Sequence, residues 1–206
     1  MDVLNVPSIE AGDSRSAREK MLAGEWFHSP SLELSRLHIR AKALQNQFNN
    51  TSPLAFKEQQ ALLAKLLRKL GANSWIEPSF HCDYGIHIEI GDDVFINMNC
   101  TFLDGHRIVI GDRVYLSPNV QLMTTTHPVH PRQRSVRVDG QLKCVLRAAP
   151  ITVGNDVWIG AGATLLGGVE IGDDSVIGAG SVVSRSIPAG VVAAGNPCRI
   201  IRSVYE

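Results

Sequence analysis

A mainly β fold, with short parallel strands wound into a prism behind an N-terminal α-helical segment, is what the 206-residue sequence predicts, on three observations. Aliphatic residues recur at every sixth position after Ser74, glycine follows many of them, and the residues before that point carry a helical period instead.

The clearest six-residue run is Val153, Ile159, Leu165, Ile171, Ile177 and Val183, with glycine next at Gly154, Gly160, Gly172 and Gly178. Small or β-branched residues stand four positions further on, at Val157, Ala163, Val169, Ser175 and Ser181. Earlier runs begin at Ile90-Gly91, continuing through Ile96 and Phe102, and at Ile110-Gly111, continuing through Leu116 and Leu122. Three hexads bring the phrase back, as Val153-Gly154-Asn155-Asp156 returns in Ile171-Gly172-Asp173-Asp174. Period six keeps no single face of a 3.6-residue helix, and the alternation of a β-sandwich would not repeat so regularly. Every sixth side chain therefore points to the axis of a wound prism, and its turns must stack to bury that edge.

The preceding helical runs are Leu32, Leu34, Leu37, Ile39 and Leu44, then Leu54, Phe56, Leu62, Leu63, Leu66, Leu67 and Leu70. Thr51-Ser52-Pro53 reads as a cap with proline at the first helical position, Lys65, Arg68 and Lys69 crowd the last turn, and Gly71 offers a left-handed stop. The organisation is thus a helical segment over residues 1–72 and the prism over 73–206. The rhythm breaks at about 124–150, a segment that reads as a functional loop extruded from the solenoid.

Twenty Lys and Arg balance twenty Asp and Glu, so no overall field draws the chain to nucleic acid or an anionic membrane. No apolar stretch approaches the roughly 18 residues that span a bilayer, and the N-terminus lacks a signal layout, which points to the cytosol. Cys82, Cys100, Cys144 and Cys198 are scattered and read as free thiols, with Cys82, Cys100 and Cys198 as small buried hydrophobes.

Several motifs are those of a known family. Met21-Leu22-Ala23-Gly24-Glu25, Cys82-Asp83-Tyr84-Gly85, Asn97-x-Asn99-Cys100, Leu103-Asp104, Thr126-His127-Pro128-Val129-His130 and Gly195-Asn196-Pro197-Cys198-Arg199 resemble the maltose and galactoside O-acetyltransferases, hexapeptide-repeat proteins, over nearly the whole chain. The resemblance implies a left-handed parallel β-helix, transfer of an acetyl group from acetyl-CoA to a sugar hydroxyl, and a homotrimer with sites between adjacent prisms. It also implies that His127 is the catalytic base, that Asn97 and Asp83 contact the acceptor, and that Ala161, Ala179, Ser184 and Arg185 line the coenzyme, with Arg199 and Arg202 near its phosphates.

The residue chemistry agrees with these roles. An alcohol needs its proton removed as it attacks, and imidazole titrates in the right range. Short polar side chains at otherwise apolar hexads, Asn97, Asn99 and Asp104, suit hydroxyl recognition, although Asn99 also suits a left-handed corner and Asp104 a turn before Gly105. Guanidinium forks suit phosphate oxygens. No metal is expected: the γ-class carbonic anhydrases share the repeat but gather three histidines, and His81, His87 and His106 give no such spacing with His127 and His130. The family often has a carboxylate after the Ala-Gly segment, where this chain reads Trp26-Phe27-His28-Ser29, and the loop after His130 carries Arg132, Arg134 and Arg137. Transfer to an amine or to serine, and a non-catalytic repeat scaffold, are the competing readings.

Overall fold

The computed structural model describes residues 13–206, so the first part of the helical segment and the N-terminal signal reading lie outside the described residues. Three helices come first: α1 (Ala17–Leu22), α2 (Leu32–Asn50) and α3 (Phe56–Leu66). The sequence reading anticipated two. The additional α1 is fixed by a reciprocal cap in which Ser16 Oγ accepts from Glu19 N–H while the Glu19 carboxylate accepts from Ser16 N–H. Six residues are too few to show a period, but Ser16-x-x-Glu19 spells the cap.

Helix α2 buries Leu34, Ala41, Gln45 and Phe48, while Leu32 and Ile39, expected inside, are 70% and 69% exposed. Helix α3 begins after Pro53. Ser52 accepts from the N–H groups of Leu54 through its Oγ and of Ala55 through its carbonyl, a local turn that competes with helix at Pro53. The helix ends at Leu66, and Lys69–Leu70 pairs as a parallel strand with Glu89–Ile90. Gly71 is therefore a prism corner and not a helix stop.

From there the chain winds through three sheets. Face one has seven strands, from Trp75–Ile76 up to the closing antiparallel hairpin Val191–Ala194 with Arg199–Ser203. Face two has five, from Phe80–Cys82 to Val182–Val183, and face three has five, from Lys69–Leu70 to Glu170–Ile171. The inward columns are those of the hexad pattern: Ile96, Leu116, Ile159 and Ile177; Cys82, Phe102, Leu122, Leu165 and Val183; Ile90, Ile110, Val153 and Ile171. Each of these is at most 2% exposed. Helices α2 and α3 cover the lower end, where Phe48, Leu63 and Leu66 join the same core as Phe80 and Ile88.

Equivalent corners lie 18 residues apart in the upper turns, as Asn155 and Asp173, but 20 apart in the lower ones, as Asp92 and Asp112. The extra residues fall between Cys82 and Ile90 and between Phe102 and Ile110, on the edge after face two. At the corner after face three, Asp92, Asp112, Asn155 and Asp173 form a ladder, each side chain accepting from the backbone N–H one turn below at 2.7–2.9 Å. Glycine precedes each because the turns approach so closely. A Cβ on Gly91 would stand 2.3 Å from Asp112 Oδ1 and 2.6 Å from the Gly111 carbonyl oxygen.

The segment that interrupts the hexads is not patternless. Ser135–Val138 and Gln141–Ala148 form an antiparallel hairpin about Asp139-Gly140, both at positive φ, and Asp-Gly between valine-containing runs is the signal for it. The longer strand also pairs with Phe27–Ser29 on one edge and with Thr125–Thr126 on the other. Its root residue Ala148 packs with Met21, Phe27 and Leu34, tying the hairpin to α1 and α2. Cys82, Cys100 and Cys198 are buried and Cys144 is exposed, all as free thiols. No described helix is long and apolar enough to cross a membrane.

Candidate active site

The expected site residues other than Arg199 and Arg202 sort onto two edges of the prism. The edge after face two carries Asp83, Asp104, the Thr124–Pro150 excursion with His127, and, higher up, Ser184 and Arg185. The edge after face one carries Asn97, Ala161 and Ala179. Within one chain these edges are separated by the width of face two.

His127 stands at a break in a β-ladder. One edge of Gln141–Ala148 pairs first with Ser135–Val138 and then with Thr125–Thr126, and residues 127–134 bulge out between those partners. In the gap, Val145 N–H donates to the Arg134 carbonyl at 2.8 Å and the Val145 carbonyl accepts from His127 Nδ1 at 2.9 Å. A carbonyl oxygen can only accept, so Nδ1 carries a proton and the neutral ring has its lone pair on Nε2. The bulge is held from within: the Arg134 guanidinium donates to the carbonyls of Pro128 and Val129, and Pro128 is buried. His130 accepts from Arg132 N–H through its Nδ1 and shapes the turn rather than joining His127. Of the cations in the basic loop, Arg134 thus serves the bulge and Arg137 the hairpin turn, through the Gly140 carbonyl.

Below His127 on the same edge, Asp83 and Asp104 are stacked neighbours with different roles. Asp83 is partly exposed, 3.9 Å from His38 Nδ1 of α2, and burial pushes its carboxyl above the usual range against the pull of Lys42 and His38. Asp104 was expected to touch the acceptor, but its side chain is fully buried. Its Oδ1 accepts from both Asp83 N–H, at 3.0 Å, and Tyr84 N–H, at 2.8 Å, and its carbonyl accepts from His87 Nδ1 at 2.7 Å. A carboxylate so enclosed organises the backbone and has no surface to offer a ligand. Desolvation raises it to about 7 despite these donors, and also depresses His87 and pushes Tyr84 up to about 12.

This shift has a testable sign. Asp104 takes up a proton on folding between its ordinary 3.8 and about 7, so its contribution to stability is complete below 3.8 and is lost as pH rises through about 7. Asp104→Asn removes the titration. In urea unfolding at pH values on either side of 7, the stability difference between variant and wild type shifts in favour of the variant as pH rises; a difference independent of pH would show Asp104 ionised throughout.

On the other edge, Asn97 lines an open cleft of about 450 Å³ with Phe95, Tyr115, Leu116, Ser117 and Trp158. Its Oδ1 accepts from Met98 N–H, and its amide nitrogen remains available. Asn99 is a corner residue at φ 62, its Oδ1 accepting from Ser79 Oγ. Sequence reasoning missed the aromatic wall. Tyr115 and Trp158 are cross-strand partners on face one and more than half exposed, and the Trp158 indole N–H donates to Ser117 Oγ at 3.1 Å. The signal was present, because an aromatic residue precedes the inward aliphatic in Trp75-Ile76, Phe95-Ile96, Tyr115-Leu116 and Trp158-Ile159.

Above Asn97, Ala161 and Ala179 are exposed at corners turned by Gly162 and Gly180, at φ 69 and 67. The inter-turn bonds there run through the N–H groups of Gly160, Gly162, Gly178 and Gly180. Ser184 and Arg185 are exposed beyond face two. Arg199 and Arg202 lie on the closing hairpin, each spending Nη1 on backbone carbonyls and leaving further N–H donors to solvent. Among the described residues no group of three or more His, Cys, Asp and Glu side chains could hold a metal ion.

Known proteins match this arrangement along most of the chain. Residues 20–71 match the maltose acetyltransferase hexapeptide capping motif, and residues 150–185 the bacterial transferase hexapeptide of six repeats. The chain is 40% identical to the galactoside O-acetyltransferase of Escherichia coli K12 over 91% of its own length and 89% of the relative's. Among solved structures, a maltose O-acetyltransferase from Clostridium difficile 630 superposes with a TM-score of 0.86 at 37% identity, covering 93% of this chain and 98% of the other. A galactoside acetyltransferase in complex with coenzyme A gives 0.86 at 39% identity, over 92% of both chains. The chain belongs to the maltose and galactoside O-acetyltransferase family of hexapeptide-repeat proteins.

Proposed function

We propose that this protein transfers the acetyl group of acetyl-CoA to a sugar hydroxyl, directly and without an acetyl-enzyme, with His127 Nε2 as general base. The observation that carries this reading is the Nδ1–Val145 bond, which sets the neutral tautomer with its lone pair on Nε2 of an exposed ring. The names of the relatives, and the coenzyme A held by one of them, supply the substrates.

In the proposed step, Nε2 takes the hydroxyl proton as the sugar oxygen attacks the thioester carbonyl, and backbone N–H groups near Ala161 stabilise the oxyanion. The new C–O bond forms, the C–S bond breaks, and the imidazolium returns its proton to the leaving thiolate of CoA. The exposed small corners at Ala161 and Ala179 fit the close approach of a pantetheine arm, and the free donors of Arg199 and Arg202 fit its phosphates, with Ser184 and Arg185 along the way. Asp83 and Asn97 are the acceptor contacts. The reaction belongs where acetyl-CoA is supplied, in the cytosol.

Because His127 and the Asn97 cleft lie on different edges of one prism, a complete site requires the His127 edge of one copy against the Asn97 edge of the next. Three prisms close such a ring with one site per interface. Light scattering is expected to give three times the 22.4 kDa chain mass, and a fully active monomer would rule the composite site out.

The test of the reaction class is CoA release from acetyl-CoA with maltose, a methyl galactoside, glucosamine and serine. Release with the sugars, and an ester in the product, supports this reading. Release with glucosamine and serine alone, giving an amide or O-acetylserine, moves the enzyme to the competing branch.

A further inference from the structure

We propose that Asp104 is a positioning residue for the acceptor: it sets the Asp83–Tyr84 turn from inside the prism, so that acceptor affinity depends on a side chain the acceptor cannot reach. The inference rests on the reading of Asp83 as an acceptor contact, and it replaces the direct contact expected of Asp104 as a short polar side chain at an apolar hexad.

The turn is gripped from two sides. From α2, Gln45 holds Cys82 by both backbone groups, its Nε2 donating to the Cys82 carbonyl and its Oε1 accepting from Cys82 N–H, each at 2.9 Å. Lys42 Nζ donates to the same carbonyl at 2.8 Å. From the turn above, one oxygen of Asp104 accepts from two successive N–H groups, those of Asp83 and Tyr84. The other oxygen lies 3.4 Å from His87 N, at the far side of the same turn.

This grip is needed because the edge departs from the hexad rule. The two extra residues in this turn leave Asp83 and Tyr84 without the strand partners that hold the rest of face two, and a buried N–H with no acceptor is costly. Asp104 supplies one acceptor to both. Removing it frees the backbone on which Asp83 is mounted, and small displacements of a substrate-contacting group are expensive.

Two measurements test the proposal together. The first is amide hydrogen exchange at Asp83 and Tyr84, which needs no substrate. Asp104→Ala is expected to speed exchange at both positions at least about 10-fold relative to amides elsewhere on face two, and Asp104→Asn, whose amide oxygen can accept from the same two N–H groups, is expected to preserve protection. Unchanged protection in Asp104→Ala overturns the proposal. Should that variant not fold, Asp104→Ser, with one small acceptor, is expected to give intermediate protection.

The second is steady-state kinetics with maltose or the methyl galactoside, whichever is acetylated faster. Asp104→Ala is expected to raise the acceptor KM at least about 10-fold, to leave the acetyl-CoA KM within about 2-fold, and to add little to Asp83→Ala. Asp104→Asn is expected to restore the acceptor KM. If Asp104→Asn raises that KM as much as Asp83→Ala does, the charge of Asp104 acts on the acceptor directly and the positioning role is wrong. If Asp83→Ala has no effect while the Asp104 pattern holds, the turn acts through its backbone, the positioning role stands and the reading of Asp83 fails.

Discussion

His127→Asn is expected to lower kcat at least about 100-fold, the lower range for loss of a general base, while acetyl-CoA binding and the oligomeric state persist. Asparagine is the informative replacement. Its Nδ2 can donate to the Val145 carbonyl as His127 Nδ1 does, so the bulge between residues 127 and 134 keeps its anchor, yet nothing stands where Nε2 presents its lone pair. His127→Ala removes both anchor and base, and is expected to fall at least as far. If alanine is severely impaired and asparagine is nearly wild type, the histidine holds the loop and some other group takes the proton. Steady-state rates with saturating acetyl-CoA, together with its equilibrium binding to each variant, decide between the two.

The largest expected effect on stability is at Phe102. It sits in the face-two column between Cys82 below and Leu122 above, has no exposed surface, and meets Phe80 edge to face at 5.1 Å between ring centroids. Phe102→Ala removes the ring from a stack whose backbone is pinned by neighbouring turns, so the site cannot collapse around the void. The expected cost is about 3–5 kcal/mol in urea unfolding, typical of a buried phenylalanine truncated to alanine. Leu165 in the same column is flanked by Leu122 and Val183, and Leu165→Ala, which removes a smaller side chain, is expected to cost less, toward the lower end of about 2–5 kcal/mol. Equal and small losses at both positions would show that the prism repacks around both voids.

The prism was legible because its signal is redundant. Ile90, Ile110, Val153 and Ile171 occupy one column only if the chain closes a turn between them, and the alternatives of helix or sandwich break the pattern within a few residues. The lengths of the lower turns were harder to see, since two extra residues at Asp83–Gly85 and Asp104–His106 leave every hexad intact and only delay the next one. The hairpin was hidden by the same habit of reading hexads. Its strands alternate with period two over a short span, and Asp139-Gly140 was the one local mark of the turn.

The N-terminal helical segment matches the sequence pattern in kind and departs from it in detail. Leu32 and Ile39 fit a helical period but face solvent, because α2 turns Gln45 and Asn49 toward face two to hold the backbone of Cys82 and Phe80. A polar residue that satisfies buried backbone groups cannot be told from a solvent-facing one by periodicity. The same limit applies to Asp104. A carboxylate in a repeat corner reads as a ligand contact or a turn cap, and only the positions of the Asp83 and Tyr84 N–H groups show which backbone it serves.

The measurement that tests the central claim most directly follows labelled acetyl from acetyl-CoA in a single turnover of the wild type and of His127→Asn, with and without sugar. The account predicts that label leaves CoA only when the sugar is present, appears as a sugar ester, and is transferred at least about 100-fold more slowly by the variant. Label on the protein in the absence of sugar, or transfer by His127→Asn at the wild-type rate, would contradict it.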